Sequence, residues 1–292
     1  MSYQEFINEI IHNLKCILPQ DTDVKVHQVM KNNNLVLDGL TIMNPETNIS
    51  PTFYLNYYYD DYKEHHDLNR IIDLILSTYR AQPDMKKIDV SFFTDFKEVK
   101  NNIVYKLINF SMNKHLLADV PHIPYLDLAI VFYYMVNHEG FENGSILIHN
   151  QHLNMWNITD RELYQLAIEN TPKRLPYHLM TMGELLKDTE FPMDRAGDNS
   201  MYVLSNRSKI FGASTILYLN LLDEISEQLN SSFYILPSSV HEVILVPEHT
   251  PSQLKYYSNM VHEVNTNHVL DEELLSDHAY FYNREEKAII YY

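Results

Sequence analysis

Six polar residues near the end of the chain could form a catalytic group, and they are Ser238, Ser239, His241, Glu242, Asp277 and His278. A hydroxyl, an imidazole and a carboxylate are the parts of a nucleophile–base–orienter set, provided that the fold brings them together. A structural interpretation is favoured instead. In it, the serines satisfy backbone amides of a turn, while His241 and Glu242 lie in the solvated mouth of a hairpin.

Two apolar runs, at 233–236 and 243–246, flank these polar residues. The sequence Leu-Pro-Ser-Ser at 236–239 is typical of a tight turn, so the whole segment predicts a buried β-hairpin. The second run places apolar side chains on both faces of its strand, as a strand covered on both sides requires. We therefore expect this hairpin to be central in its sheet.

The 15 histidines prompt a search for a metal site. A zinc-protease helix needs a second histidine four residues after the first. The three His-Glu pairs, which begin at His138, His241 and His262, have Glu142, Leu245 and Thr266 there instead. The remaining candidate ligands are His149 and His152, three residues apart. We expect no metal and no cofactor, with the histidines on the surface or hydrogen-bonded within the structure.

Cysteine chemistry is limited to one residue, Cys16, which excludes an intramolecular disulfide and a cluster of cysteine ligands. Its position places it in or near the buried face of the first predicted helix, where we expect it to act as a small apolar side chain.

Phosphate-binding loops are absent, since the sequence contains neither the Gly-x-x-x-x-Gly-Lys-Ser/Thr nor the Gly-x-Gly-x-x-Gly pattern. The sequence Gly-Ala-Ser at 212–214 lacks the second glycine of a nucleophile elbow. Several tyrosines between residues 54 and 62 could stack on bases, but Asp60 and Asp61 argue against nucleic acid. Packing at the edge of a core is the favoured role of these rings.

The chain is acidic, with a net charge of −17. The charge is −5 for residues 1–100, −6 for 101–239 and −6 for 240–292, so no segment stands out as an acidic tail. Such a balance repels phosphate backbones and anionic membranes and suits a basic protein partner. The first residues do not resemble a signal peptide, and no apolar run approaches the ~20 residues of a membrane span. We expect a cytoplasmic protein that binds neither nucleic acid nor membrane.

The first part of the chain predicts a helix over 6–18, then short strands at 24–30, 35–43 and 52–55, and a helix over 67–80 that Asp67 caps. Residues 81–95 are the best candidate boundary. The sequence therefore predicts two units, at 1–90 and 96–292, which form either one domain or two.

The second part predicts strands at 103–110 and 145–148, and residues 126–136 form either a strand or a buried helix. The aromatic and β-branched residues at 131–134 favour the strand. Capping boxes at Thr159 and Thr181 predict helices, the first of which should end before Pro172. Beyond a loop at 191–200 we expect strands at 201–204, 279–282 and 288–291, a helix over 212–229 and another that begins at Thr250. Irregular alternation of helices and hairpins indicates an α+β fold with mainly antiparallel sheets packed against amphipathic helices.

The string at 233–247 resembles the signature of a family of uncharacterised proteins from anaerobic gut bacteria and their mobile elements, known only as a domain of unknown function. Segments 148–156, 201–206 with 211–218, and 274–280 are similar to that family as well. The likeness covers roughly residues 100–292, and the N-terminal part is a weaker match. The resemblance implies no assigned activity, cofactor or catalytic residue.

The functional prediction is an acidic cytoplasmic protein-binding or regulatory module with a basic protein partner. The resemblance implies a link to mobile elements, where the module could inhibit a defence factor. Two alternatives stay open: a hydrolase that uses the hairpin-mouth residues or a histidine-based metal site, and a structural component of a phage or conjugative element.

Overall fold

The computed structural model of the chain describes residues 1–46, 50–81, 91–136, 144–187 and 201–291. By their contacts these residues group into two units. The first lies within Met1–Lys31 and Leu35–Phe92, and the second within Asn32–Asn34, Phe93–Asn137 and Phe141–Tyr292. The division into two domains, at 1–90 and 96–292, stays a prediction.

The first unit packs three helices on a small antiparallel sheet. Its helices are α1 (Tyr3–Ile17), α2 (Leu55–His65) and α3 (Leu68–Arg80), and its strands are β1 (Asp23–Met30), β2 (Val36–Met43) and β3 (Thr52–Tyr54), in the order β1-β2-β3. A capping box between Ser2 and Glu5 starts α1, and the Asp67 side chain caps α3 as predicted. The buried core includes Phe6, Ile10 and Leu14 of α1.

Most of the predicted tyrosine cluster lies on α2, a helix that the sequence analysis missed, whereas Tyr54 is the last residue of β3. Tyr58, Tyr59 and Tyr62 pack against the core of the first unit. The Tyr59 ring stacks on Tyr62 at 6.2 Å and contacts Phe6 at 5.2 Å between ring centroids. Packing at the edge of a core is therefore their observed environment.

One sheet of the second unit contains β4 (Ile103–Asn109), β5 (His122–Tyr125), β6 (Leu128–Met135) and β7 (Ser145–Leu147). Strand β6 lies between β4 and β5 and also pairs with β7. Its first seven residues are buried, so the run that could have been a helix is a central strand. Helix α7 (Asp160–Arg174) packs on β4, where the Tyr105 amide donates to the Thr171 hydroxyl.

The other sheet of the second unit has six strands in the order β13-β12-β10-β11-β9-β8. They are β8 (Tyr177–Thr181), β9 (Tyr202–Asn206), β10 (Phe233–Leu236), β11 (Val243–Pro247), β12 (Tyr280–Asn283) and β13 (Ala288–Ile290). The predicted hairpin, β10–β11, is the central pair. All described strand pairings are antiparallel, and this confirms the predicted α+β fold class.

The remaining helices of the second unit are α4 (Phe96–Val99), α5 (Lys114–Leu117), α6 (Asn150–Trp156), α8 (Met182–Lys187), α9 (Leu221–Leu229) and α10 (Leu254–His268). The capping boxes at Thr159 and Thr181 both form. No helix of the described part is long and apolar enough to cross a membrane.

Local predictions were wrong at several helix ends. Helix α7 runs through Pro172 to Arg174, and the Thr171 hydroxyl supports this turn, since it donates to the Ala167 carbonyl and accepts from the Tyr105 amide. The helix predicted from Thr250 begins at Leu254, because the Gln253 amide donates to the Tyr234 hydroxyl. Cys16 is exposed rather than packed against the core.

The helix predicted over 212–229 is divided in two. A 3-10 helix, Gly212–Leu217, is followed by Tyr218 in an extended conformation, and α9 begins at Leu221. The Tyr218 hydroxyl donates to the Leu175 carbonyl over 2.7 Å, so a tertiary contact overrides the local helical preference.

Several predictions fall wholly or partly on residues outside the described ranges. They concern the His138–Glu139 pair, most of the boundary at 81–95 and the loop at 191–200.

Candidate functional site

The connection between β10 and β11 is longer than the predicted tight turn. The last pair of the β10–β11 ladder is Leu236 with Ile244, and residues 237–242 lie outside both strands. Part of this connection pairs with the segment before β12: the Leu275 amide donates to the Ser238 carbonyl, and the Val240 amide donates to the Glu273 carbonyl. These bonds fix the backbone on which the candidate serines lie.

The Ser239 hydroxyl accepts a 3.0 Å hydrogen bond from the backbone amide of His241. This is the short-range bond to the backbone that the structural interpretation anticipates. The Ser239 side chain is also mostly buried. The geometry therefore directs this hydroxyl to the backbone of His241 rather than to the imidazole.

The His241 ring has contacts at both nitrogens. Nδ1 accepts from the Phe211 amide at 3.4 Å, and Nε2 lies 3.6 Å from Glu273 Oε1. The ring also stacks on Phe211, with 5.8 Å between centroids. An imidazole that activates a serine needs one nitrogen toward the hydroxyl and the other toward an acid. In His241, Nε2 lies near the acid, but Nδ1 faces the Phe211 amide instead of a serine hydroxyl.

Glu242 lies beside His241 and is partly buried. Burial raises the pKa of its carboxyl, while the charge of His241 and the Ser239 hydroxyl act in the opposite direction and the nearby Glu273 adds to the rise. The carboxyl therefore holds a proton more strongly than an exposed glutamate does.

Asp277 and His278 belong to a different place, a half-open pocket of about 400 Å³. The polar residues that line it are Asn109, Ser111, Asp127, Asp277 and His278. The apolar lining comprises Phe110, Met112, Pro124, Leu126 and Leu274. The pocket volume is in the range of small-ligand sites. The structure thus separates the six sequence candidates into a hairpin group and a pocket group.

Two hydrogen bonds hold the carboxylate of Asp127, one of the polar groups that line the pocket. Its Oδ2 accepts from the Ser276 hydroxyl at 2.6 Å, and its Oδ1 accepts from the Tyr280 phenol at 2.5 Å. Both donors are completely buried. Burial, more than the Asp127 charge, raises the pKa of Tyr280 well above its ordinary value, so the phenol keeps its proton and remains a donor.

The two-residue turn between β5 and β6 places Asp127 at the pocket. Leu126, its first residue, has a φ of 56°, in the left-handed region where glycine is usual. A bulky residue in this conformation costs on the order of 1–3 kcal/mol. The turn keeps the Leu126 side chain in the pocket lining next to the Asp127 carboxylate.

The carboxylate of Asp277 is held from the side of α10. Asn265 Nδ2 donates to Asp277 Oδ1 at 2.7 Å and to the Ser276 carbonyl at 2.8 Å. His262 Nδ1 lies 3.5 Å from Asp277 Oδ2. Asn265 is buried, so its amide fixes the position of a carboxylate that is itself exposed.

The candidate metal ligands form a separate pair at the start of α6. His149 Nδ1 lies 2.7 Å from Asp119 Oδ2, and the His149 amide donates to His152 Nδ1 at 3.0 Å. Burial lowers the pKa of His152, and the neighbouring His149 adds to this shift. Within the described ranges, no group of three or more His, Cys, Asp or Glu side chains is arranged to hold a metal ion.

Sequence reasoning missed Asp127, Ser276, Tyr280 and Asn265. Asp127 stands between two apolar strands, which is a local sign of a turn with a polar function. Nothing near it in the sequence indicates Tyr280, which is 153 residues away.

Comparison with protein families adds one finding. The chain matches a family model over residues 3–284, which includes the first unit, where the expected likeness was weaker. No curated protein and no solved structure matches it. Because the match spans nearly the whole chain, the protein belongs to DUF5688, a family of unknown function.

Proposed function

We propose that this protein is a binding module whose acidic surface recognises a basic segment of a partner protein. The observation that carries the proposal is the acidic segment beside the pocket. Asp271, Glu272 and Glu273 directly precede Leu274, and both Leu274 and Asp277 line the pocket. The sequence has no lysine or arginine from residue 256 to residue 283. Negative charge is therefore concentrated in the chain segment that adjoins the pocket lining.

Hydrogen bonds hold the backbone of this acidic segment in place. Asn33 Nδ2 donates to the carbonyls of Asp271 and Leu274 at 2.8 and 2.7 Å. Asn32 Nδ2 donates to the Glu272 carbonyl at 2.9 Å. A fixed backbone presents the carboxylates without a large ordering cost when a partner binds.

The overall charge supports a basic partner as well. A net charge of −17 attracts cationic surfaces at long range and accelerates their association. A cytoplasmic location and a link to mobile elements are part of the proposal. They rest on the composition and on the resemblance of residues 233–247 to the uncharacterised family.

A hydrolase that uses Ser238, Ser239, His241 and Glu242 is the alternative with less support. The Ser239 hydroxyl bonds to the backbone, and both nitrogens of His241 face other groups. None of these contacts favours proton transfer from a serine.

A direct test measures the binding of fluorescent 12-residue peptides rich in lysine and arginine to the purified full-length chain. We expect binding that weakens as salt is raised, and no binding of a peptide in which glutamine replaces the basic residues. The double variant Asp271→Asn/Glu272→Gln should bind the basic peptide about ten-fold more weakly.

The matched control is Glu9→Gln/Asp73→Asn, which removes the same charge from two exposed positions of the first unit. It should lose much less affinity than the double variant of the acidic segment. Equal losses in the two variants, or no salt-dependent binding in the unsubstituted protein, would refute the proposal.

A further inference from the structure

We propose that the pocket beside Asp127 and Asp277 binds a primary alkylammonium group, supplied by a lysine side chain of the basic partner or by a free alkylamine. The assignment of the ammonium group to a lysine of the partner rests on the proposed function, whereas the binding of an ammonium group by the pocket does not. The argument starts from the charges in the pocket. Asp127 and Asp277 both line it, and its described lining includes no lysine or arginine.

The negative charge of Asp127 faces the pocket without a cationic partner among its described contacts. Its two recorded side-chain partners, Ser276 and Tyr280, are neutral donors. A partly buried carboxylate with no counter-cation is costly, and a bound cation would offset that cost. A carboxylate has about four lone-pair positions, so each oxygen can accept a further hydrogen bond from a ligand.

Buried donors fix both carboxylates before any ligand arrives. Ser276 and Tyr280 are fully buried and orient Asp127, and Asn265 is 5% exposed and orients Asp277. Such fixed groups lower the reorganisation cost of binding. The arrangement resembles a prepared cation site more than a flexible acidic surface.

The shape of the donor set favours an ammonium over a guanidinium. Arginine binds best when its planar fork meets both oxygens of one carboxylate. In Asp127, Tyr280 and Ser276 each already bond to one oxygen. In Asp277, Asn265 bonds to Oδ1 and His262 lies near Oδ2. A compact ammonium with three donors needs only single acceptor positions, and both Asp127 and Asp277 line the same pocket.

The walls suit an aliphatic stem. Phe110, Met112, Leu126 and Leu274 supply apolar surface around the two carboxylates. The methylene groups of a lysine pack along such surface while the charged end reaches polar groups. A quaternary ammonium would fit less well, because it lacks N–H donors and prefers a cage of several aromatic rings.

The test uses calorimetry on the full-length chain with four blocked or simple probes: Nα-acetyl-lysine N-methylamide, its norleucine and arginine counterparts, and n-butylamine. We expect the lysine probe to bind with a Kd of about 1 mM or tighter. The norleucine probe, which lacks the charge, should not bind measurably, and the arginine probe should bind at least about five-fold more weakly. Equal binding of the arginine or norleucine probe would overturn the ammonium assignment.

Variants locate the site. Asp277→Asn, at an exposed position, should weaken binding of the lysine probe about ten-fold, while Asp73→Asn, also exposed, should leave it unchanged. Asp127→Asn should have at least as large an effect, and a thermal melt will show whether that variant is folded. Unchanged binding in Asp277→Asn would overturn the proposal even if Asp127→Asn fails to fold.

Competition separates the two sources of the ammonium group. If n-butylamine displaces the basic peptide, and if replacing the peptide's lysines by arginine weakens peptide binding, the partner supplies the ammonium group as a lysine. If n-butylamine binds at Asp277 but leaves peptide binding unaltered, the ligand is a free alkylamine. If n-butylamine binds and no basic peptide does, the proposed function fails while the pocket assignment stands.

Discussion

The phenol of Tyr280 donates a 2.5 Å hydrogen bond to Asp127 Oδ1 and so joins residues that are 153 positions apart. Tyr280 begins β12 in the six-stranded sheet, and Asp127 lies in the β5–β6 turn of the other sheet of the second unit. The bond links the two sheets and at the same time orients a carboxylate that lines the pocket.

We predict that Tyr280 and Asp127 are energetically coupled. Hydrogen bonds to a charged group contribute about 1.5–3 kcal/mol, and Asp127 is partly exposed, so Tyr280→Phe should lower the free energy of unfolding by about 1.5 kcal/mol. A double-mutant cycle with Asp127→Asn, measured by urea unfolding, should give a coupling energy of about 1 kcal/mol.

The control for this cycle is Tyr256→Phe, which removes a hydroxyl from a residue that is 59% exposed. Its effect should be within about 0.5 kcal/mol. A coupling energy near zero between Tyr280 and Asp127 would contradict the assigned bond.

A second prediction concerns the central strand β11. Leu245 is completely buried, whereas Ile244 retains partial exposure. Leu245→Ala should therefore lower the free energy of unfolding by about 2–5 kcal/mol because it leaves a cavity in the core. Ile244→Ala should cost less, since its site is partly open to solvent. Chemical denaturation of both variants checks the order, and a larger loss for Ile244→Ala would show that the burial is misassigned.

The sequence was most informative where the determining contacts are local. Two helix starts were predicted from capping side chains: the capping box of Thr159 with Glu162, and the N-cap Asp67. In both, the side chain and the amide that it satisfies are within three residues. The apolar run of β11 similarly predicts a buried strand, and its central place in the sheet agrees with that prediction.

Distant contacts account for the errors. Helix α2 was missed because the residues that it packs on the core, Leu55, Tyr58, Tyr59 and Tyr62, are mostly tyrosines, which are also typical of strands. The prediction of a tight turn at 236–239 was wrong because the chain there pairs with residues 273–276, which are distant in the sequence. The pocket was missed for the same reason, since the partner of Asp127 is Tyr280. No local pattern contains that pair.

A third prediction separates packing from catalysis at His241. The ring stacks on Phe211, and an aromatic pair contributes about 0.5–1.5 kcal/mol. His241→Ala should therefore lower the free energy of unfolding by about 1 kcal/mol, and His241→Phe, which keeps a ring, should recover part of the loss. Urea unfolding measures both. If His241→Phe is no more stable than His241→Ala, stacking is not the role of this ring.

The last prediction follows from the raised pKa of Glu242. Burial is its main cause, with the negative charge of Glu273 as a smaller contribution, and His241 and the Ser239 hydroxyl oppose the shift. Since the carboxyl pKa is higher in the folded chain than in the unfolded chain, the folded chain binds the proton more tightly. The stability that Glu242 contributes is thus complete below the ordinary glutamate pKa and is lost as pH rises through the folded value.

Glu242→Gln, which is neutral at every pH, should therefore match the unsubstituted protein near pH 4 and exceed it at pH 7. Because the carboxyl is partly exposed and screened by solvent, we expect a difference on the order of 0.5 kcal/mol at pH 7. Urea unfolding at a series of pH values measures this, with Glu286→Gln as the control at an exposed position. The control should show no comparable growth of the difference with pH. A Glu242→Gln curve that stays parallel to that of the unsubstituted protein would mean that burial at the hairpin mouth does not disfavour this charge.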